Sequence, residues 1–456
     1  MRTLVYTAVS SWKMLMAAGS ERSRRAKKNI ALSVLVKGGQ VLINLLLVPL
    51  TINYINTERY GVWLTLSSLV MWINFLDVGL GHGMRNKLVE ASVSNDINKG
   101  RIYVSTTYAA LAIIAIIVLG VFLAVNHFLD WQSILNDQGI AADELNQAAV
   151  IAFSAFCVQL VLQNVNSIFM ANHDPSKASL ISLIGQTLVV FSILVLGNLQ
   201  RADFTSLVWI LTTFPPLVLI VSSVYLFKTS YRNFAPALHL VKFQYARELL
   251  SLGGRFFLIN LGVIILYQSD NILVAQLFGS NEVTTFNIAY RLFFTVIMVL
   301  TIFLLPFWSA VTDAYLKDDL AWIRHSRSKY IRLIVALAGG CALMLACSGL
   351  IYQLWVGDAV AVPFRLSLFM AIYVVVYMFH SLHVNILNGM GKIRLQLYLV
   401  IACSVLNVLL AIAFGRMIGL EGIVLSNIVI FLIMTVAVVI QCNKLLTKTA
   451  FGIWDK

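Results

Sequence analysis

Charge is what this sequence has least of. Only 12% of its 456 residues are Asp, Glu, Lys or Arg, against roughly 25% in soluble domains. That shortage excludes an ordinary water-soluble globule. Cysteine is sparse too, at five residues. Cys157, Cys341, Cys347, Cys403 and Cys442 all fall within or at the edge of apolar runs, and none forms a CxxC pair. They read as small core residues, not as disulfides or metal ligands. No Walker lysine motif occurs, which excludes direct drive by ATP. GLGHG at 79–83 is glycine-rich, but it follows a membrane helix and not a strand, so it is no nucleotide loop. Short alternating segments are lacking, which excludes a membrane β-barrel. No loop is long enough to fold a separate soluble domain. The longest outer one, 126–146, carries four acids. No cofactor or metal is expected.

What the chain does have is apolar length. Sixty per cent of its residues are apolar, in runs long enough to cross the ~30 Å hydrocarbon layer as helices of about 20 residues. The expected fold is all-α and polytopic. Twelve spans are placed at 29–53, 59–80, 102–125, 147–171, 179–199, 204–227, 251–277, 284–311, 331–355, 366–388, 395–415 and 422–442. The net charge of +13 then has a positional reading that needs no nucleic acid. Loops on one side of this arrangement hold 25 Lys and Arg, and the other side holds four, Arg59, Arg201, Arg365 and Arg416. Basic residues collect in cytoplasmic loops, so both termini are expected in the cytoplasm of a bacterial inner-membrane protein. Residues 1–28 are no signal peptide, because Trp12 and Lys13 interrupt the apolar stretch and ERSRRAKK follows. They read as a basic cytoplasmic tail. The organisation is then a first six-helix bundle at 29–227, a linker at 228–250, a second bundle at 251–442 and a tail at 443–456.

Charges inside a bilayer are costly and by default face a cavity or a partner. Lys37 lies about 12 Å into the first span at 1.5 Å per residue. Gln40 and Asn44 share its helical face. The stripe lines a cavity, or else Lys37 snorkels inward. Arg255 opens the seventh span, with the same two readings. Asp270 follows on that span, about 22 Å further along the axis. Arg291 enters the eighth span at a depth similar to that of Asp270, so it contacts substrate or neutralises that acid. Asp77, Arg85 and Asp313 sit at inner span ends and suit surface ion pairs or gates. Asn260, Gln159, Gln163, Asn166, Asn407 and Asn427 supply amides for sugar hydroxyls or for helix–helix hydrogen bonds. Tyr267 and Trp308 can stack on sugar rings or simply pack. His380 and His383, one turn apart, can couple transport to protons or serve structure. The deep cations outnumber the deep acids. That favours an anionic cargo, because Arg and positive potential suit phosphate. An exporter of cationic drugs wants a carboxylate in its first helix, and the first span has none.

The halves echo one another. GGQVLIN at 38–44 answers GGRFFLIN at 253–260, and ANHDPSKASLISL at 171–183 answers LNGMGKIRLQLYL at 387–399. Parallel repeats of this kind bind substrate between the halves and rock around it.

YINTERYGVW at 54–63, followed by FLDVGLGHGMRNKLVEA at 75–91, resembles the first-hairpin signature of polysaccharide flippases. LFGSNEVTTFNIAYRL at 277–292 resembles its second-half counterpart. LNGMGKIRLQLYLVIACSVLNVLLAIAFGRMIGLEGIVLSN at 387–427 is similar to the penultimate helix pair. The chain thus resembles the multidrug/oligosaccharidyl-lipid/polysaccharide exporter superfamily, in its O-antigen and polysaccharide (Wzx-type) branch. The resemblance implies twelve helices in two pseudo-symmetric six-helix bundles around a central cavity. It also implies a non-enzymatic flippase that moves a polyprenyl-pyrophosphate-linked oligosaccharide between leaflets by alternating access. His82 stands where relatives often carry Asn or another small polar residue, and no chemistry is attached to it. Expected partners are that lipid-linked substrate, membrane lipids, a proton or sodium ion, and other polysaccharide-assembly proteins. The alternatives are a cation-coupled multidrug exporter of the same superfamily and, from another class, a membrane glycan polymerase or ligase.

Overall fold

The computed structural model describes residues 21–77, 79–172, 174–198, 203–246, 248–249, 266 and 268–455. Every regular element among them is helical. In chain order these are α1 (Glu21–Ile55), α2 (Thr57–Met71), a 3₁₀ turn (Trp72–Asp77), α3 (Leu80–Val93), α4 (Ile97–Asn126), α5 (Trp131–Leu135), α6 (Ala142–Leu162) and α7 (Val165–Ala171). There follow α8 (Pro175–Asn198), α9 (Phe204–Lys228), α10 (268–278), α11 (Ser280–Leu316), α12 (Leu320–Ala346), α13 (Ser348–Val356), α14 (Phe364–Met390), α15 (Arg394–Ile418) and α16 (Leu420–Leu446). Short 3₁₀ turns punctuate the segment between α9 and α10.

Ten helical segments among the described residues are long and apolar enough to cross a membrane. Their outer faces expose large apolar side chains, such as Ile116 at 70% and Leu343 at 67%. Such surface is tolerable in lipid and not in water. The protein is a multi-pass membrane protein.

Several expected spans differ in detail, among them 331–355, which breaks at Cys347. The span at 59–80 is not one helix: α2 ends at Met71, a 3₁₀ turn follows, and α3 starts after Gly79. Gly79 takes φ 81°, in the left-handed region, and Asp77 Oδ1 accepts from the Gly81 amide. The restart is thereby capped from within. The span at 147–171 starts earlier, at Ala142, and breaks at Gln163–Asn164. The span at 251–277 is described only at 266 and from 268 onward, so Arg255, Asn260 and Tyr267 lie outside the described residues. At the chain's start α1 begins at Glu21, so residues 21–28 of the expected tail run on into the first span.

Asp and Asn caps set the boundaries. Asn56, Asp96, Asp203 and Asp319 accept from the amides of Arg59, Lys99, Ser206 and Trp322. Each satisfies a first-turn donor that has no partner inside its helix.

The packing order repeats. In the first half α9 packs against α6 and α8; in the second, α16 packs against α14 and α15. Leu266 joins Val400, Cys403, Ile430 and Met434 in a core cluster. It stands beside α15 as α1 stands beside α8, where Gly39 approaches Leu183. Two pseudo-symmetric bundles result.

Between the halves, the closest packing lies at the end remote from the C terminus. A Cβ on Gly61 of α2 would lie 1.8 Å from the Ser280 carbonyl oxygen of α11. Thr284 Oγ1 donates to the Thr57 carbonyl oxygen at 2.7 Å. Asn136 Nδ2 donates to the Ala275 carbonyl oxygen at 2.9 Å. This end is sealed.

Candidate functional site

On the terminal side of that seal the halves part around a cleft of about 360 Å³. The first half contributes Lys37, from α1. The second half contributes the rest, including Trp308 of α11, Tyr377, His380 and Asn385 of α14, Gln396 of α15 and Phe431 of α16. The local sequence explains the placement. A cation in an apolar helix is stable only where water or a counter-charge reaches it, and the cleft supplies that contact for Lys37. Among these mostly apolar and aromatic walls, α14 and α15 present Ser381, Asn385 and Gln396.

A second, smaller cavity of about 60 Å³ lies between α1 and α11, lined by Asn44, Leu45, Tyr290, Arg291 and Thr295 among others. It is about 10 Å deeper along α1 than Lys37, at 1.5 Å per residue. Arg291 Nη1 donates to the Asn44 carbonyl oxygen at 3.3 Å. Arg291 makes no ion pair with Asp270. The two deep cations among the described residues therefore stand in series between the open end and the seal, Lys37 first and Arg291 second.

Asp270 is 7% exposed. Its Oδ2 accepts from Asn427 Nδ2 at 2.7 Å, and Asn427 Oδ1 accepts from Asn407 Nδ2 at 3.0 Å. Its Oδ1 has no hydrogen-bond partner. Two of the amides that the sequence offered for sugars or for helix contacts, Asn407 and Asn427, thus form a relay ending on the buried acid of the second half.

The other named residues scatter. Gln40 turns away from the cleft and donates to the Ser179 carbonyl oxygen of α8. Asn44 lines the deeper cavity. Gln163 caps α6 at its break. His383 is buried, and its Nδ1 lies 2.8 Å from the Phe379 carbonyl oxygen, while its neighbour His380 faces the cleft. Asp313 is exposed and pairs with Lys317 at 2.7 Å. Arg85 is exposed on α3. Asp77 caps the restart of α3. Around that restart Gly81 brings Asp77, Asn164 and Ser167 within 3.3 Å of where its Cβ would stand.

Sequence reasoning missed Trp355. Its indole nitrogen donates to the Leu45 carbonyl oxygen of α1 at 2.8 Å. The signal was available in Pro49, which removes the amide that would otherwise bond that carbonyl. The connecting segment was also missed as a structured element. Lys87 of α3 pairs with Glu248 at 2.8 Å, and Arg101 Nε donates to the Ala235 carbonyl oxygen at 2.8 Å. That hydrogen bond to Glu248 raises the affinity of Lys87 for its proton, and the same bond lowers the Glu248 carboxyl below its ordinary range.

Comparison with known proteins agrees with this architecture. A multidrug resistance MATE family transporter of the MOP superfamily in its inward-facing conformation superposes with a TM-score of 0.77, covering 92% of this chain and 100% of its own at 16% identity. The outward-facing conformation of such a transporter gives 0.68, covering 92% and 96% at 15% identity. A Yersinia pseudotuberculosis protein assigned to O-antigen export is 21% identical over 368 residues, covering 78% of this chain and 81% of its own. The MatE family matches residues 256–413. The family described as "Polysaccharide biosynthesis protein" matches residues 26–312, well over half of the sequence, and the chain belongs to it.

Proposed function

We propose that this protein is a flippase for a polyprenyl-pyrophosphate-linked oligosaccharide. It would carry that lipid from the cytoplasmic to the outer leaflet of a bacterial inner membrane for O-antigen or other surface polysaccharide synthesis. The observation that carries the reading is Lys37, a cation exposed to a cleft between two bundles that are sealed at one end. A phosphate headgroup meets fixed positive charge there, while its isoprenoid tail remains in the surrounding lipid. The excess of Lys and Arg in the loops at the open end supports a cytoplasmic opening in this reading. Arg291, deeper toward the seal, is the next cation the pyrophosphate meets when the seal opens. The relation to an O-antigen export protein supports the cargo class.

Net transport against a gradient needs a coupling ion, and Asp270 is the group suited to take one. A carboxylate buried with one oxygen unbonded is unfavourable unless a proton or a metal cation neutralises it. Asp313, Arg85 and Asp77 are placed for surface and restart roles in this reading, and no catalytic group is assigned. A multidrug exporter of the same fold is the second reading. The absence of a carboxylate from the described part of the first span speaks for the anionic cargo.

The test is a leaflet-resolved assay of the lipid-linked glycan in cells with and without the protein. Accumulation on the cytoplasmic leaflet in its absence is expected. An unchanged outer-leaflet pool, in cells shown to have no second flippase, would overturn the reading.

A further inference from the structure

The wall of the cleft that faces Lys37 is built differently from Lys37 itself. Of the described residues lining the cleft, Lys37 is the one permanent cation, and no carboxylate is among them. The second half presents Thr301, Ser381, Asn385, Gln396 and His380 instead. Two of these are anomalous. His380 is 7% exposed and Gln396 is 8% exposed. Yet His380 Nδ1 and Gln396 Oε1 have no hydrogen-bond partner. Leaving such an atom unbonded costs about 1–3 kcal/mol, and native proteins rarely leave one without a reason.

The neighbours hold the His380 ring in place. Its ring sits edge-on to Phe431 with centroids 5.2 Å apart, and Phe431 is itself packed against Tyr373 and Tyr377. One turn along the same helix, the corresponding Nδ1 of His383 lies 2.8 Å from the Phe379 carbonyl oxygen. One histidine of the pair is satisfied by its own helix, while the other lines the cleft with its buried Nδ1 unbonded. Trp308, 40% exposed on the same wall, offers an indole face beside them.

We propose that His380 and Gln396, with Trp308 as a stacking platform, form a subsite that reads the hydroxyls of an uncharged sugar. The subsite is separate from the cation that takes the phosphate. Chemistry selects the ligand class. Phosphate recognition calls for cations, and among the described residues of the cleft the one cation is Lys37, from the other half. A hydroxyl both donates and accepts, so it can satisfy an amide oxygen and an imidazole nitrogen whichever tautomer the latter holds. The apolar face of a pyranose covers an aromatic ring. The inference rests on the flippase reading and deepens it: cargo is checked for sugar before it is moved.

The experiment measures binding to the full chain in lipid nanodiscs by thermophoresis. The probes are C55 polyprenyl pyrophosphate, the same lipid bearing one hexose or one N-acetylhexosamine, and unphosphorylated polyprenol. Wild type should bind at least one sugar-bearing lipid about tenfold more tightly than the bare pyrophosphate, the equivalent of one buried hydrogen bond. His380→Phe, Gln396→Leu and Trp308→Ala should each erase most of that preference and leave the bare pyrophosphate affinity as it was. Lys37→Gln should weaken all pyrophosphate lipids alike. His380→Phe and Gln396→Leu should melt no lower than wild type without ligand, because each removes an orphaned polar atom. Trp308→Ala, at an exposed position, keeps the test alive if a buried variant fails to fold. Three results overturn the subsite: no sugar preference in wild type, an unchanged preference in all three variants, or equal weakening of bare and sugar-bearing lipids. Failure of the flippase reading looks different, since wild type would then bind pyrophosphate lipids no better than polyprenol.

Discussion

The Trp355 indole nitrogen of the second half donates to the Leu45 carbonyl oxygen of the first, at 2.8 Å. Pro49 lies inside α1 and has no N–H, so Leu45 has no donor from its own helix. A defect in one bundle is satisfied by a side chain of the other. Separation of the bundles at that level exposes the carbonyl in a medium with no water to replace the bond.

Trp355→Phe should therefore weaken the sealed state by about 1 kcal/mol, the net worth of a typical hydrogen bond. Spin labels at Asp143 and Asp358, on the sealed side, should show a larger population of long distances. Pro49→Ala restores the intrahelical donor, so adding Trp355→Phe to it should change little further. Additive effects in that double-mutant cycle would argue that the two features are unrelated.

Gly61 should be irreplaceable in the seal. Its missing Cβ lets the Ser280 backbone approach, and any side chain would strike a carbonyl oxygen that cannot move without displacing the start of α11. Gly61→Val should hold the far end apart and abolish transport while the protein still inserts. In a background with the native cysteines replaced, a cysteine at Asn281 should become reactive to a membrane-impermeant thiol reagent. Protection equal to that in unmodified Gly61 would mean that α11 yields elsewhere.

Much of the architecture was legible because bilayer thickness fixes helix length and because the basic loops mark alternate turns. What periodicity does not reveal is where a span breaks. The interruption at Trp72–Asp77 and the one at Gln163–Asn164 occur in runs apolar enough to read as continuous. At the first break Asp77 caps the restart through the Gly81 amide, a partner that periodicity does not show. The site was legible in residue type and less so in geometry. Lys37 stood out because a charge in lipid demands an explanation. Gln40 sat on the same face by spacing but satisfies itself on the Ser179 carbonyl oxygen, a neighbour only the fold brings near. His380 and His383 were indistinguishable in sequence, since the difference between them is which nitrogen finds a partner.

The segment between the bundles should behave as a strap with a defined pH window. Glu248 is held below the ordinary carboxyl value of 4.5 by Lys87, so its contribution is complete above that value and fades as acid titrates it. Lys87 is held above the ordinary 10.5, so its contribution is complete below that value and is lost only as pH climbs past its raised folded value. Between those limits the strap should be flat. Both groups are partly exposed, so the pair is worth no more than about 0.5 kcal/mol after screening. A nitroxide at His239 should be equally immobile from pH 6 to 9 and more mobile below pH 4. Glu248→Gln should raise its mobility already at neutral pH. Indifference to that substitution would transfer the anchoring to Arg101 and its bond to the Ala235 carbonyl oxygen.

Asp270 and Asn427 should separate coupling from stability. Asn at position 270 keeps an oxygen for Asn427 and removes the need for a neutralising ion. Asp270→Asn should therefore fold with a stability within about 1 kcal/mol of wild type or above it, since it removes a buried charge. Lipid binding in the cleft should persist, because Lys37 is untouched. Flipping in proteoliposomes should lose its response to an imposed proton or sodium gradient. Asn427→Leu is the opposite perturbation. It leaves the carboxylate without its donor and should lower stability by about 2–3 kcal/mol, the penalty for stranding a hydrogen-bonded charged group. If Asp270→Asn proteoliposomes still respond to whichever gradient drives wild type, the coupling ion binds elsewhere, and the relay from Asn407 through Asn427 is there to brace the second bundle.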